Sequence, residues 1–230
     1  MSYISLRNII TPYCLKNINL GIEKGELMVL LGFSGAGKST LLNVIAGLTE
    51  YQGDVYFNQQ NMNRIPTEKR DIGYLFQDIF LFPHLDTFNN IAFGLRATDC
   101  PSSEVNERVE DMLVLFRIGH LKNRYPKELS GGEKRRVGFA RSLIMEPKIL
   151  LMDEPLSSLD PVTARTLREE FKEIHCRLNL TTVYVTHDFS EARKLADRIV
   201  VLIDGEIKQK GTTQAIFGQP VSEIRQFIDG

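Results

Sequence analysis

The chain has 230 residues, 43% hydrophobic and 25% charged, which is ordinary globular usage and excludes disorder as a global description. This length accommodates one large domain or a core with a smaller lobe, and folding should bury roughly 70% of the unfolded surface. Lysine and arginine together number 28 and aspartate and glutamate 29, a net charge of −1, so no overall basic footprint points to nucleic acid.

Cys14, Cys100 and Cys176 lie far apart. Their odd number and spacing suit neither a disulfide framework nor a paired metal site and point to a reduced, cytosolic compartment. The longest apolar runs, Leu27–Leu31 and Ile199–Ile203, are strand-length, short of the roughly 20 residues of a membrane-spanning helix. The opening MSYISLRNII lacks the profile of a signal peptide.

In chain order, the alternation Tyr3-Ile4-Ser5-Leu6 and the stretch Leu15–Ile22 predict half-buried strands separated by a turn at Thr11-Pro12. The apolar run Leu27–Leu31 predicts a buried strand that feeds, through glycines, a helix over Lys38–Leu48. Pro101-Ser102-Ser103 opens a segment to residue 127 with Val105, Val109, Met112, Leu113 and Phe116 at helical spacing, a helical insert. Strands at Ile149–Met152, Thr182–Val185 and Ile199–Ile203 then alternate with helical stretches near 132–145, 161–178 and 189–197. This alternation predicts an α/β fold with a mostly parallel sheet flanked by helices. Asp204-Gly205 predicts a hairpin turn.

Gly32-Phe33-Ser34-Gly35-Ala36-Gly37-Lys38-Ser39 fits G-x-x-x-x-G-K-[ST] between that strand and that helix, the context a phosphate-binding loop needs. Its glycines let backbone N–H groups converge on phosphate oxygens, the helix N-terminus adds positive potential, Lys38 reaches terminal phosphates, and Ser39 can ligate Mg²⁺. Ile149–Met152 delivers Asp153 and Glu154 to a strand's carboxyl end, where open α/β sheets bind ligands. Adjacent carboxylates there are costly without a cation, so Asp153 is assigned to metal and Glu154 to orienting or deprotonating a water. Ser130 and Glu133 satisfy a capping box, and the Ser130-Gly131-Gly132 helix start is also a ready anion site. The basic residues Lys134, Arg135, Arg136 and Arg141, and likewise Lys69 and Arg70, read as solvated faces. Phe76, Phe80, Phe82 and Phe88 read either as core or as part of an exposed pocket for a partner.

The order of these motifs resembles the nucleotide-binding subunits of ABC transporters over essentially the whole chain. Residues Gly32 to Thr40 look like the Walker A loop, Leu129 to Glu133 like the LSGGQ signature, Ile149 to Glu154 like Walker B, and Ser157 to Asp160 like the D-loop. Gln77 matches the Q-loop glutamine and His187 the switch histidine. Tyr13 stands where the family's adenine-stacking aromatic is expected, with Tyr3 as its rival. Glu133 replaces the usual glutamine, a change the capping box tolerates.

The resemblance implies a P-loop NTPase with an N-terminal antiparallel β-subdomain. Residues 1–85 and 146–230 would form the nucleotide-binding core with that subdomain, and 86–145 a helical subdomain carrying the signature. It implies catalytic roles for Glu154, His187 and Gln77, a Mg²⁺ site at Ser39, Gln77 and Asp153, and ATP as nucleotide. It further implies a head-to-tail homodimer in which Ser130, Gly131, Gly132 and Glu133 complete the partner chain's ATP site, and it places Asp160 in the D-loop. Integral membrane permease subunits and a solute-binding protein would complete an importer at the cytoplasmic face of the membrane. Because the chain stops soon after Gly211-Thr212, a C-terminal regulatory β-domain is expected to be missing. The competing readings are a soluble ABC ATPase without a transport role and a P-loop small-molecule kinase.

Overall fold

A computed structural model describes residues 2–228. The alternating amino-terminal segment forms β1 (Ile4–Ile10), which pairs antiparallel with β2 (Ile18–Ile22). The predicted strand from Leu15 starts only at Ile18. Leu15 is instead buried in the preceding loop, where its N–H donates to Thr11 Oγ1 and its carbonyl accepts from the Thr11 N–H. The apolar run forms β3 (Leu27–Leu31), and the glycine loop then leads into α1 (Lys38–Ala46).

The polar segment that follows folds as β4 (Gln52–Phe57) and β5 (Gln60–Asn61), which complete a four-stranded antiparallel sheet in the order β2-β1-β4-β5. Next come β6 (Ile72–Leu75) and three helices, α2 (Thr87–Arg96), α3 (Ser102–Leu115) and α4 (Gly131–Leu143). The predicted helical insert at 101–127 is α3 followed by tight turns. The remaining elements are β7 (Ile149–Asp153), α5 (Pro161–Leu178), β8 (Thr181–Thr186), α6 (Phe189–Leu195), β9 (Arg198–Ile203), β10 (Glu206–Thr212), α7 (Thr213–Gly218) and α8 (Ser222–Ile228).

Among the described residues the main sheet has six strands in the order β10-β9-β3-β8-β7-β6. All neighbours are parallel except β10, which returns from β9 through Asp204 and Gly205, both at positive φ as the hairpin turn requires. Strand β3 is buried on both faces. Leu27, Val29 and Leu31 point into a core with helices α2 to α5, while Met28 and Leu30 point into a second core with α1 and the antiparallel sheet. The sandwiching fixes β3 rigidly, and with it the loop that leaves its carboxyl end. No helix among the described residues is long and apolar enough to cross a membrane.

Arg70 corrects the reading of a solvated face. It is buried, and its guanidinium donates to Val44 O and Ile45 O at the end of α1 and to Met62 O and Ile65 O. Lys69 beside it is exposed.

Candidate active site

Helix α1 begins without a side-chain cap, and its N-cap Gly37 stands at φ 101°. A Cβ there would meet Cys14 Sγ at 2.8 Å and Leu15 Cδ2 at 2.9 Å, so only glycine allows both the conformation and the close approach. The uncapped helix start is an anion-binding geometry. Lys38 is only 5% exposed and curls back over its own loop, with Nζ donating to Gly32 O at 2.8 Å and Phe33 O at 2.9 Å. Burial lowers its pKa, while Glu154, whose Oε1 lies 3.6 Å from Nζ, and Asp153 pull it back up.

At the end of β7, Asp153 Oδ1 accepts a 2.9 Å hydrogen bond from Ser39 Oγ. Burial raises the Asp153 pKa and the neighbouring Glu154 charge adds to the shift, whereas the Ser39 bond opposes it. A carboxylate kept from water beside a hydroxyl is a hard-oxygen donor pair of the kind Mg²⁺ uses together with waters and phosphates. The residues present therefore fit that ion, with Gln77 on the same cleft as a further oxygen donor. Glu154 holds a left-handed backbone, φ 42°, anchored by its N–H to Val185 O. A non-glycine residue in that conformation is a strained one, of the kind found at functional sites. Its Oε2 lies 2.9 Å from His187 Nδ1, at the end of β8.

These groups meet at a cleft of about 280 Å³, lined by the P-loop together with Cys14, Gln77 and Glu154. His187 and Glu154 also line an adjoining cleft of about 390 Å³ with Ser157 and Leu159. Tyr13, next to Cys14, is 67% exposed and its hydroxyl shares a 2.8 Å hydrogen bond with Thr49 Oγ1. Tyr3 lies at the opposite end of the sheet, in a larger cleft of about 720 Å³ with Asp71, Lys148 and Thr181, where β6, β7 and β8 begin. The larger cleft is thus remote from the phosphate loop.

The signature residues do not enter the cleft. Ser130 caps α4, its Oγ accepting from the Glu133 N–H while Glu133 Oε2 accepts from the Ser130 N–H. These bonds hold the Glu133 carboxyl below its usual pKa. Gly131 and Gly132 lie against Leu159 and Thr163. Asp160 caps α5 by accepting from the Val162 and Thr163 N–H groups. The signature start is therefore a surface feature beside Leu159 and Thr163, and none of its residues lines the phosphate-loop cleft.

Arg135 is a second correction. It is 3% exposed, and it donates from NH1 to Gln77 O and from NH2 to Ser158 Oγ, both at 2.8 Å. Its position on the buried stripe with Gly138 and Phe139 was the available signal. Arg136 pairs with Glu170 at 3.0 Å, and Arg141 lies over the Phe82 ring. Of the aromatic group, Phe80 and Phe76 are exposed and Phe88 packs on the first core.

A protein-family model described as ABC transporter matches residues 15–157. The sulfate/thiosulfate import ATP-binding protein CysA of Synechocystis is 46% identical over 90% of this chain and 59% of its own length. The maltose/maltodextrin import ATP-binding protein MalK of Photorhabdus laumondii is 42% identical over 99% and 63%. The chain thus spans about three fifths of the length of these curated relatives. Among solved structures, cbiO1 from Clostridium perfringens, part of the ABC transporter complex cbiONQ, superposes with a TM-score of 0.89 at 30% identity, covering 98% of this chain and 94% of that one. A dimer of the cassette MJ0796 bound to ADP and Pi superposes with a TM-score of 0.80 at 32% identity, covering 91% and 98%. With this fold, this order of motifs and these relatives, the chain belongs to the ATP-binding proteins of the ABC transporter family.

Proposed function

We propose that this chain binds ATP with Mg²⁺ and hydrolyses it as the motor subunit of an ABC importer. The observation that carries the reading is the convergence of Lys38, the Ser39–Asp153 pair and the Glu154–His187 pair at the carboxyl ends of three parallel strands. Lys38 exchanges its loop carbonyls for phosphate oxygens. Ser39, Asp153 and Gln77 hold Mg²⁺, which supplies charge neutralisation on the transferring phosphoryl group. Glu154 takes the proton of the attacking water, and His187, with Nδ1 turned to Glu154, offers Nε2 to the γ-phosphate. Tyr13 stacks on the adenine.

Since none of the signature residues lines its own chain's phosphate-loop cleft, a second copy supplies Ser130, Gly131, Gly132 and Glu133 over the nucleotide, with Asp160 alongside. ATP then closes a head-to-tail dimer, and hydrolysis reopens it. The import ATP-binding relatives support integral membrane permease partners, for which Phe76 and Phe80 are presented; a solute-binding protein completes the complex in this reading. The subunit then works at the cytoplasmic face of the membrane. Those partners set the cargo.

The test is phosphate release by the purified chain with Mg-ATP across protein concentrations, beside Glu154→Gln. Specific activity rises with concentration as sites are completed in pairs, and the variant binds ATP, dimerises on it and fails to turn it over. Wild-type turnover by Glu154→Gln would remove the general-base assignment. A pull-down from detergent-solubilised host membranes, with and without ATP, then recovers a multi-span partner in stoichiometric amount; ribosomes in its place would favour the soluble reading.

A further inference from the structure

Arg135 carries a charge into the interior, 3% exposed, and gives it no anionic acceptor in its two hydrogen bonds, only the Gln77 carbonyl and the Ser158 hydroxyl. Burying a charge in this way is costly, and an apolar side chain of similar volume would serve packing at least as well. The fork of the guanidinium does something an apolar group does not. It fixes the distance and direction between two acceptors at once.

The two acceptors stand on loops leaving neighbouring parallel strands. Gln77 follows β6 by two residues, and Ser158 lies in the loop that follows Asp153 and Glu154 at the end of β7. The donor belongs to a third segment, the first turns of α4, five residues beyond the capping Ser130. One side chain therefore ties the backbone of the Gln77 loop and the loop after Glu154 to the helix that presents the signature. Gln77 and Ser158 are themselves exposed, and although Ser157 and Leu159 bond within the loop after Glu154, the fork joins that loop to the Gln77 main chain and to α4.

We propose that Arg135 is a positioning residue for hydrolysis. It holds the Gln77 main chain and Ser158 in register with the signature helix, so that the Gln77 amide, on the Mg²⁺ side of the cleft, and the Glu154 carboxylate keep the relative placement that hydrolysis needs. The proposal rests on the ATPase reading above. It assigns Arg135 no contact with nucleotide: the P-loop and Tyr13 bind ATP whether or not the fork is present.

The purified chain is compared with Arg135→Met, Arg135→Lys, Ser158→Ala and the Arg135→Met/Ser158→Ala double variant. For each, the ATP dissociation constant is measured by equilibrium binding, and kcat and KM by phosphate release. Arg135→Met is expected to lose about 10²-fold in kcat, the scale of a small misplacement at a reacting centre, with ATP affinity within about threefold of wild type. Arg135→Lys recovers part of the loss, because an ammonium reaches one acceptor but does not bridge both. Ser158→Ala lowers kcat in the same direction, and the double variant falls no further than Arg135→Met alone, the signature of residues acting through one contact. Wild-type kcat in Arg135→Met, or losses that add in the double variant, would overturn the proposal. Loss of ATP affinity in step with kcat would also overturn it, as a general structural role. If Arg135→Met fails to fold, Ser158→Ala decides: an unchanged kcat sinks the proposal. A wild-type chain that binds no ATP overturns the ATPase reading first, which separates the two failures.

Discussion

His187 Nδ1 lies 2.9 Å from Glu154 Oε2, a bond that crosses from the end of β8 to the end of β7 and joins the two groups proposed to handle water and phosphate. Glu154 turns toward the cleft through a left-handed backbone, so its carboxylate position rests on this bond and on Lys38 at 3.6 Å. Removing the imidazole deletes the proposed transition-state donor and one of the contacts that hold the Glu154 carboxylate. His187→Ala should lower kcat by about 10²- to 10³-fold, the range for loss of one preorganised donor, with KM for ATP little changed. Steady-state phosphate release checks this, and a KM effect without a kcat effect would contradict it.

Arg70 is a structural counterpart. Its guanidinium satisfies carbonyls at the end of α1 and in the chain that precedes β6. Cutting it to alanine removes a donor from all four carbonyls, of which Val44 O and Met62 O keep the Gly47 and Ile65 N–H groups, and opens a hole. Arg70→Ala should cost about 3 kcal/mol, by the size of charge-assisted bonds and orphaned acceptors, a fall in Tm of roughly 6–12 °C for a chain of this size. Arg70→Lys should recover only part, because an ammonium does not reproduce the fork. Thermal and urea unfolding measure both, and an Arg70→Ala chain as stable as wild type would show the bonds to be redundant.

These two arginines mark the limit of what the sequence alone discloses. The P-loop is legible because its glycines and Lys38 act within one short segment, and the Ser130–Glu133 cap because it spans a single turn. Arg70 and Arg135 find their partners in main-chain carbonyls and one hydroxyl distant in sequence, so basic runs that read as solvated faces conceal two buried side chains. Strand β4 escaped for a similar reason: in Gln52-Gly53-Asp54-Val55-Tyr56-Phe57 only Val55 and Phe57 are buried, and pairing with β1 supplies the order. The rivalry of Tyr13 and Tyr3 is undecidable from spacing, since opposite ends of one sheet lie close together in the chain.

Glu191 predicts a pH dependence of stability. Its Oε2 accepts from Thr186 Oγ1 at 2.8 Å and Tyr184 Oη at 3.2 Å. Burial raises its pKa above 4.5 and Asp188 adds to this, while those bonds and Arg168 oppose it. The folded chain thus holds this proton more tightly than the unfolded chain. The ionised carboxylate destabilises the fold at neutral pH, and the penalty fades as pH falls through the folded pKa and is absent well below the unfolded value. Glu191→Gln keeps an acceptor oxygen and carries no charge, so it should melt above wild type at pH 7, with the difference shrinking toward pH 4. A difference independent of pH would show that charge is not its origin.

Tyr13 and Tyr3 are separable by nucleotide affinity. Tyr13 is exposed beside the cleft-lining Cys14, held at its hydroxyl by Thr49, whereas Tyr3 stands with Asp71 and Lys148 where the parallel strands begin. Stacking of a base on an aromatic ring contributes about 1–3 kcal/mol, so Tyr13→Ala should weaken ATP binding by about 5- to 150-fold. Tyr13→Phe keeps the ring and loses only the exposed bond to Thr49, and should bind within about threefold of wild type. Tyr3→Ala should leave affinity unchanged. Inorganic tripolyphosphate supplies an internal control, because it engages the P-loop without a base: its affinity should be the same in wild type and Tyr13→Ala. Equilibrium binding of both ligands to the four chains decides the matter. If Tyr13→Ala lost tripolyphosphate as strongly as ATP, the side chain would be supporting the P-loop through Cys14 and not the adenine.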